Sequence, residues 1–148
     1  MRPDPGNVMR GVVQAITREL TPELSTPFAK TVAGLSNSLL SILSVESERL
    51  IDRLLVETRI TTDILHDSCA ILEDPFFCMR VLAAAARTTP PNYRLSTVQA
   101  LNDDARRMLI EIHTVIEAMP GKAAAMINER IWAELRESTI RRQMEPSP

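Results

Sequence analysis

Between Pro27 and Pro75 the chain contains no proline, and Gly34 is its only glycine. Apolar residues recur every three or four positions from Phe28 to about Leu72, which predicts one long helix. At 1.5 Å per residue such an element approaches roughly 70 Å. The other helical stretches are about half that length. The far end of the long helix must therefore be covered by a sequence neighbour, by a bend, or by a second copy of the chain. That mismatch is the ground for expecting a homodimer.

The remaining segments also carry a helical period, and no run alternates as a strand would. A first helix is expected from about Pro5 to Leu20, capped by Asp4, with Val8, Val12, Ala15, Ile16 and Leu20 on one face. Ser25 or Thr26, ahead of Pro27, supplies the cap of the long helix. Asp74-Pro75 restarts the chain as a short, alanine-rich helix, and the loop TTPPNY follows, with Tyr93 docked. Ser96 and Gln99 read as a capping box. The next helix places Val98, Leu101, Ala105, Met108, Ile112, Val115 and Met119 at heptad spacing, a pattern for helix-on-helix packing. Pro120-Gly121 ends it. A last helix from Lys122 to about Arg142 carries Ala124, Ile127, Ile131 and Leu135 on one stripe. The expected fold is all-α: an antiparallel bundle of four to five helices with an unusually long second helix. It is read as one domain over 1–148, frayed at 1–4 and 143–148.

A chain of 148 residues can bury a core without a metal or a disulfide. Its net charge of −2, with the two signs interspersed, leaves no basic footprint for nucleic acid. Lys30 and Lys122 are the only lysines among 17 basic residues, a bias read as genome composition rather than anion recognition. The strictly apolar run Val81 to Ala86 is too short to span a bilayer, and the start lacks a signal-peptide core. A cytoplasmic protein with no membrane partner is expected, with Cys69 and Cys78 as free thiols.

Candidate chemistry is sparse. Glu46, Arg49, Arg53 and Glu57 fall within about 80° of one helical face, as either an anion clamp or a run of ion pairs. His66 follows Asp63 at i+3 and His113 precedes Glu117 by four, but the second Glu-x-x-His pair of a di-metal bundle is missing. His66 and Cys69 are the closest approach to a catalytic pair, without a third group. The four glycines are scattered, so no phosphate loop forms. No catalytic residue, metal or cofactor is expected. The serines at 36, 38, 41, 44 and 47 wind around the long helix and are expected to bond back to carbonyls one turn earlier.

The opening RPDPGNVMRGVV, then LTPEL and the helix beginning STPF, resembles a family of small bacterial helical proteins of unknown function. Its members are encoded near, or fused to, aminoglycoside-phosphotransferase-like kinases and acyl-CoA dehydrogenases. The resemblance covers about the first 60 residues and brings no catalytic residues. It implies an accessory role beside a kinase or an enzyme of acyl-CoA metabolism. The expected function is thus a non-enzymatic, homodimeric interaction module. The alternative is a bundle binding an acyl or acyl-CoA-like anion, with Arg49 and Arg53 at the head group.

Overall fold

A computed structural model describes residues 4–143, and every regular element among them is helical. Apart from Asp4 and Gln143, the ends expected to fray lie outside the described residues. The five helices are α1 (Pro5–Ala15), α2 (Pro27–Ser68), α3 (Pro75–Ala85), α4 (Leu95–Ala118) and α5 (Lys122–Arg141). The fold is the all-α bundle with a long second helix that the periodicity implies.

Most starts and stops follow local chemistry. The Asp4 carboxylate accepts from the Asn7 amide at 3.1 Å, and Pro5 takes the first helical position. Helix α1 does not stop at Leu20. It passes into a π turn over Ile16–Leu20 and a last turn over Thr21–Glu23. The Thr21 hydroxyl donates to the Ile16 carbonyl at 2.8 Å, five residues back, which suits the wider π spacing. The Thr26 hydroxyl accepts from the Ala29 amide and opens α2, which tightens into a 3₁₀ turn at Cys69–Ile71. Asp74 caps α3 through the Phe76 and Phe77 amides.

The Ser96–Gln99 capping box does not form. Arg94 is the N-cap and offers no side-chain bond; α4 begins at Leu95, which leaves Ser96 inside the first turn rather than before it. Tyr93 is not docked either, being 64% exposed, and Pro90 is the buried residue of that loop.

The chain divides into two compact units, the first ending at Leu50 and the second spanning Ile51–Gln143. Helix α2 contributes to both. In the second unit, Ile64 and Leu65 of α2, Val81 and Ala85 of α3, Leu109, Ile112 and Ile116 of α4, and Ala124, Ile127 and Ile131 of α5 form one apolar core. Polar ties give the helix directions. Arg80 meets Glu111 and Arg87 meets Asp104, so α3 and α4 run antiparallel. Asp67 meets Arg130 and Glu57 meets Arg142, so α5 runs antiparallel to this part of α2. The unit is an antiparallel four-helix bundle.

The heptad on α4 needs a correction. The buried set is Val98, Leu101, Asn102, Ala105, Leu109, Ile112 and Ile116, with Val115 exposed and Met108 and Met119 only flanking the core. From Val98 the buried face advances at close to 3.6 residues per turn, the period of a straight helix. The strict 3.5 of a supercoil drifts off that face by its second half.

The first unit is a helical hairpin with the opposite economy. Its two arms run antiparallel, since Asn37 Nδ2 donates to the Thr17 hydroxyl at 2.8 Å while the Ser44 hydroxyl donates to the Gly6 carbonyl at 3.2 Å. Among the described residues up to Leu50, those fully buried are Gly6, Ala33 and Ser44. None carries a large side chain. Of the large apolar residues, Val13, Ile16, Leu40 and Ile42 are among those half-buried, while Val8, Val12, Leu20, Phe28, Val32, Leu35, Leu39 and Leu43 are exposed.

Candidate functional site

The four residues of the predicted polar face do not behave alike. Glu46 and Arg49 belong to the first unit, Arg53 and Glu57 to the second. None of Glu46, Arg49 and Arg53 is without a partner. Arg53 Nη1 donates to the Arg141 carbonyl at 3.2 Å, at the end of α5. Glu57 is the notable one: its side chain has no solvent exposure. Arg142 donates to both its oxygens, from Nε at 3.1 Å and from Nη2 at 2.5 Å, and Arg106 lies at 3.5 Å. This bidentate pairing, first through the hydrogen bond and then through charge, holds the Arg142 pKa above its ordinary value. Beside it, Arg141 pairs with Glu134.

Asn102, fully buried, bridges α4 to α2 by donating to the Leu54 carbonyl at 3.3 Å and the Thr58 hydroxyl at 3.2 Å. An apolar-period filter passes over it, because a polar residue on a core face carries no periodic signal.

The remaining candidates resolve into structural contacts. His66 Nδ1 meets Asp67 rather than Asp63, and Asp67 in turn holds Arg130 at 2.7 Å. Hydrogen bonding by Arg130, then by His66, lowers the Asp67 pKa below its ordinary value. Cys69 Sγ faces the Cys78 carbonyl at 3.5 Å, not His66, and burial followed by the neighbouring Cys78 pushes its pKa up to about 12. A thiol raised that far is a poor nucleophile at neutral pH. His113 Nε2 lies 2.9 Å from Asn128 Oδ1 and 3.4 Å from Glu117, with Trp132 edge-on at 5.3 Å. Among the described residues no group of three or more His, Cys, Asp or Glu could hold a metal ion.

What stands out is the outer face of the first unit. Phe28 is 79% exposed, Leu35 61% and Leu39 62%, with Val32 and Leu43 also exposed. At 100° per residue these five fall within about 80° of arc. Ala33, Asn37 and Ser44, the residues turned toward α1, lie well round the helix from them. Beside the stripe an open groove of about 380 Å³ is lined by Ile16, Leu20, Leu24, Phe28, Ala29 and Val32, together with Ala33 and Ser36. Val8 and Val12 of α1 are exposed as well. The second unit also has exposed apolar side chains, among them Phe76, Met79 and Ile110, but these overlie a complete core.

The span Pro27–Ile71 contains an 18-residue window of mean hydropathy 1.3, of which 11% is buried. By length and composition alone it is long and apolar enough to cross a membrane, a property that the short run Val81 to Ala86 does not reveal.

Four of the five serines split into two groups. Ser36, Ser38 and Ser47 bond back to the Val32, Gly34 and Ser44 carbonyls, as their placement implies. Ser44 instead crosses to Gly6 and accepts from Arg10 Nη1 at 3.5 Å. It is a contact between helices rather than a bond back along its own helix.

No protein-family profile and no solved structure matches the chain. Among curated proteins it is similar to the Multifunctional CCA protein of Methylococcus capsulatus (strain Bath), at 34% identity over 83 residues. The match takes in 56% of this chain but only 16% of that protein. So small a share says nothing of the rest of that protein's activity.

Proposed function

We propose that the chain is a non-enzymatic helical interaction module, homodimeric through the first half of α2. One observation carries the reading. The first unit buries only Gly6, Ala33 and Ser44 completely and leaves Phe28, Val32, Leu35, Leu39 and Leu43 in solvent. Its remaining large apolar residues are at most half-buried, so a hairpin of this size gains little burial to offset the entropy of ordering it. A partner on the stripe supplies what is missing. The family that the N-terminal residues resemble suggests a further partner, a kinase or an acyl-CoA-metabolising enzyme, for which the dimer is an accessory in the cytoplasm.

Sedimentation velocity over a wide concentration range tests the self-association. The wild-type chain is expected as a dimer. Leu35→Glu with Leu39→Glu is expected as a monomer whose second unit stays folded, because both positions lie in the first unit and are solvent-exposed within one copy. A strictly monomeric wild type removes the reading.

The groove beside Phe28 favours the second reading, an acyl-binding bundle, since its lining is almost wholly apolar. Arg53 speaks for it less, being bonded to the Arg141 carbonyl. That reading predicts a thermal shift with a long-chain acyl-CoA that is weakened in Arg53→Ala. No shift with either acyl-CoA or a fatty acid removes it.

A further inference from the structure

We propose that the occupant of the stripe is the same stripe of a second copy, packed antiparallel across a two-fold axis that passes between Leu35 and Ser36. This rests on the interaction-module reading and adds the partner's orientation and register. Three observations point to it.

The first is spacing. The exposed residues Phe28, Val32, Leu35, Leu39 and Leu43 are nearly symmetric about the middle of their own run. Turning a second α2 end for end about Leu35–Ser36 sets Phe28 opposite Leu43 of the other copy and Val32 opposite Leu39. Leu35 then meets its own neighbourhood. A two-fold contact requires a surface of this self-complementary kind.

The second is charge. From Pro27 to Val45 the only charged residue is Lys30. Self-pairing therefore brings no like charges face to face, which would cost stability at each contact.

The third is area. At the stated exposures the five side chains offer roughly 600 Å² per copy, so the pair buries about 1,200 Å², the lower bound of specific interfaces. As a lone patch it also sits at the upper end of what a monomer leaves bare.

A lipid surface is the less suited occupant, although α2 passes the composition test for spanning one. The arm that α2 pairs with through Asn37 and Ser44 carries Arg10, Arg18 and Glu19, charges that a hydrocarbon core would strip of water. An interfacial helix is rich in Lys and Arg on its polar face, and Lys30 is a single charge.

Three single-cysteine additions, Phe28→Cys, Leu35→Cys and Leu43→Cys, treated with a short bismaleimide, decide the register, with the wild type controlling for Cys69 and Cys78. Residues 28 and 43 are about 22 Å apart along the helix, well beyond such a linker. The proposal expects Leu35→Cys to cross-link to itself. Phe28→Cys and Leu43→Cys should each fail alone and cross-link when mixed. Self-linking of all three, with no product joining 28 to 43 in the mixture, means parallel pairing. That outcome overturns the proposal while leaving the module reading intact. A dimer by sedimentation with no cross-link at any position places the interface elsewhere and also overturns it. A monomer that floats with phosphatidylglycerol vesicles makes lipid the occupant, and a monomer without vesicle binding removes both the proposal and the reading it rests on.

Discussion

Glu57 has given up all its water and recovers the loss through Arg142 and Arg106. The two sides of that pairing are not equivalent, because the Arg142 side chain is 43% exposed and can return to solvent while Glu57 cannot. Truncating the arginine strands a buried carboxylate, which costs on the order of 3 kcal/mol where no other partner compensates. Arg106 compensates in part. Arg142→Ala is therefore expected to lose about 2 kcal/mol and Glu57→Gln about 1 kcal/mol. Urea unfolding of the two variants checks the order, and a larger loss in Glu57→Gln would falsify this account of the pair. Glu57 was visible in the sequence only as one of four charges on a face. Nothing there distinguished it, because its partners Arg106 and Arg142 lie 49 and 85 residues away.

Among the elements, α5 is tied to α2 at a second point by Asp67 and Arg130. The Asp67 pKa is lowered in the fold, so its contribution is complete above the ordinary carboxylate value near about 3.9. It is lost as pH falls through the lowered folded value. Asp67→Asn is thus expected to flatten the acid limb of a stability–pH profile while leaving the neutral plateau within about 1 kcal/mol, since both side chains are about half exposed. An unchanged acid limb would show that the tie contributes nothing. The turn into α5 depends on Gly121, the one residue described with a positive φ, at 109°. Gly121→Ala should cost about 1–2 kcal/mol. Gly34 lies mid-helix with open space around it, and Gly34→Ala should gain up to about 0.8 kcal/mol. Thermal melts of the pair should move in opposite directions. Helix positions were legible because prolines and caps punctuate this chain clearly: Asp4, Thr26 and Asp74 all act where the sequence places them. The Ser96 cap failed because a two-residue shift of the start moves the hydroxyl inside the helix.

On the scale of the whole molecule, two units of unequal means share one chain. The second has a contiguous apolar core from all four of its helices. The first has small contacts between its arms and an apolar stripe facing out. Amide exchange should follow this division: slow and independent of concentration around Leu65, Ile112 and Ile131, faster around Leu35, and slower there as protein concentration rises. Exchange near Leu35 that ignores concentration would argue that nothing covers the stripe. The all-helical class was readable because the 3.6 period persists nearly end to end. The division at Leu50 was not, because α2 runs through it without a glycine or proline there, and the return of charges from Glu46 onward does not by itself mark a boundary.

Trp132, the only tryptophan, stands edge-on to His113, and the single tyrosine, Tyr93, also belongs to the second unit. The hairpin therefore has no chromophore that emits at useful wavelengths. An unfolding curve followed by intrinsic fluorescence will look two-state and will report the bundle alone, whatever happens to the stripe. Far-ultraviolet circular dichroism sees the helices of both units. A gap between the two curves would be the optical trace of the hairpin melting, and an emitter introduced near Leu35 would make it visible directly.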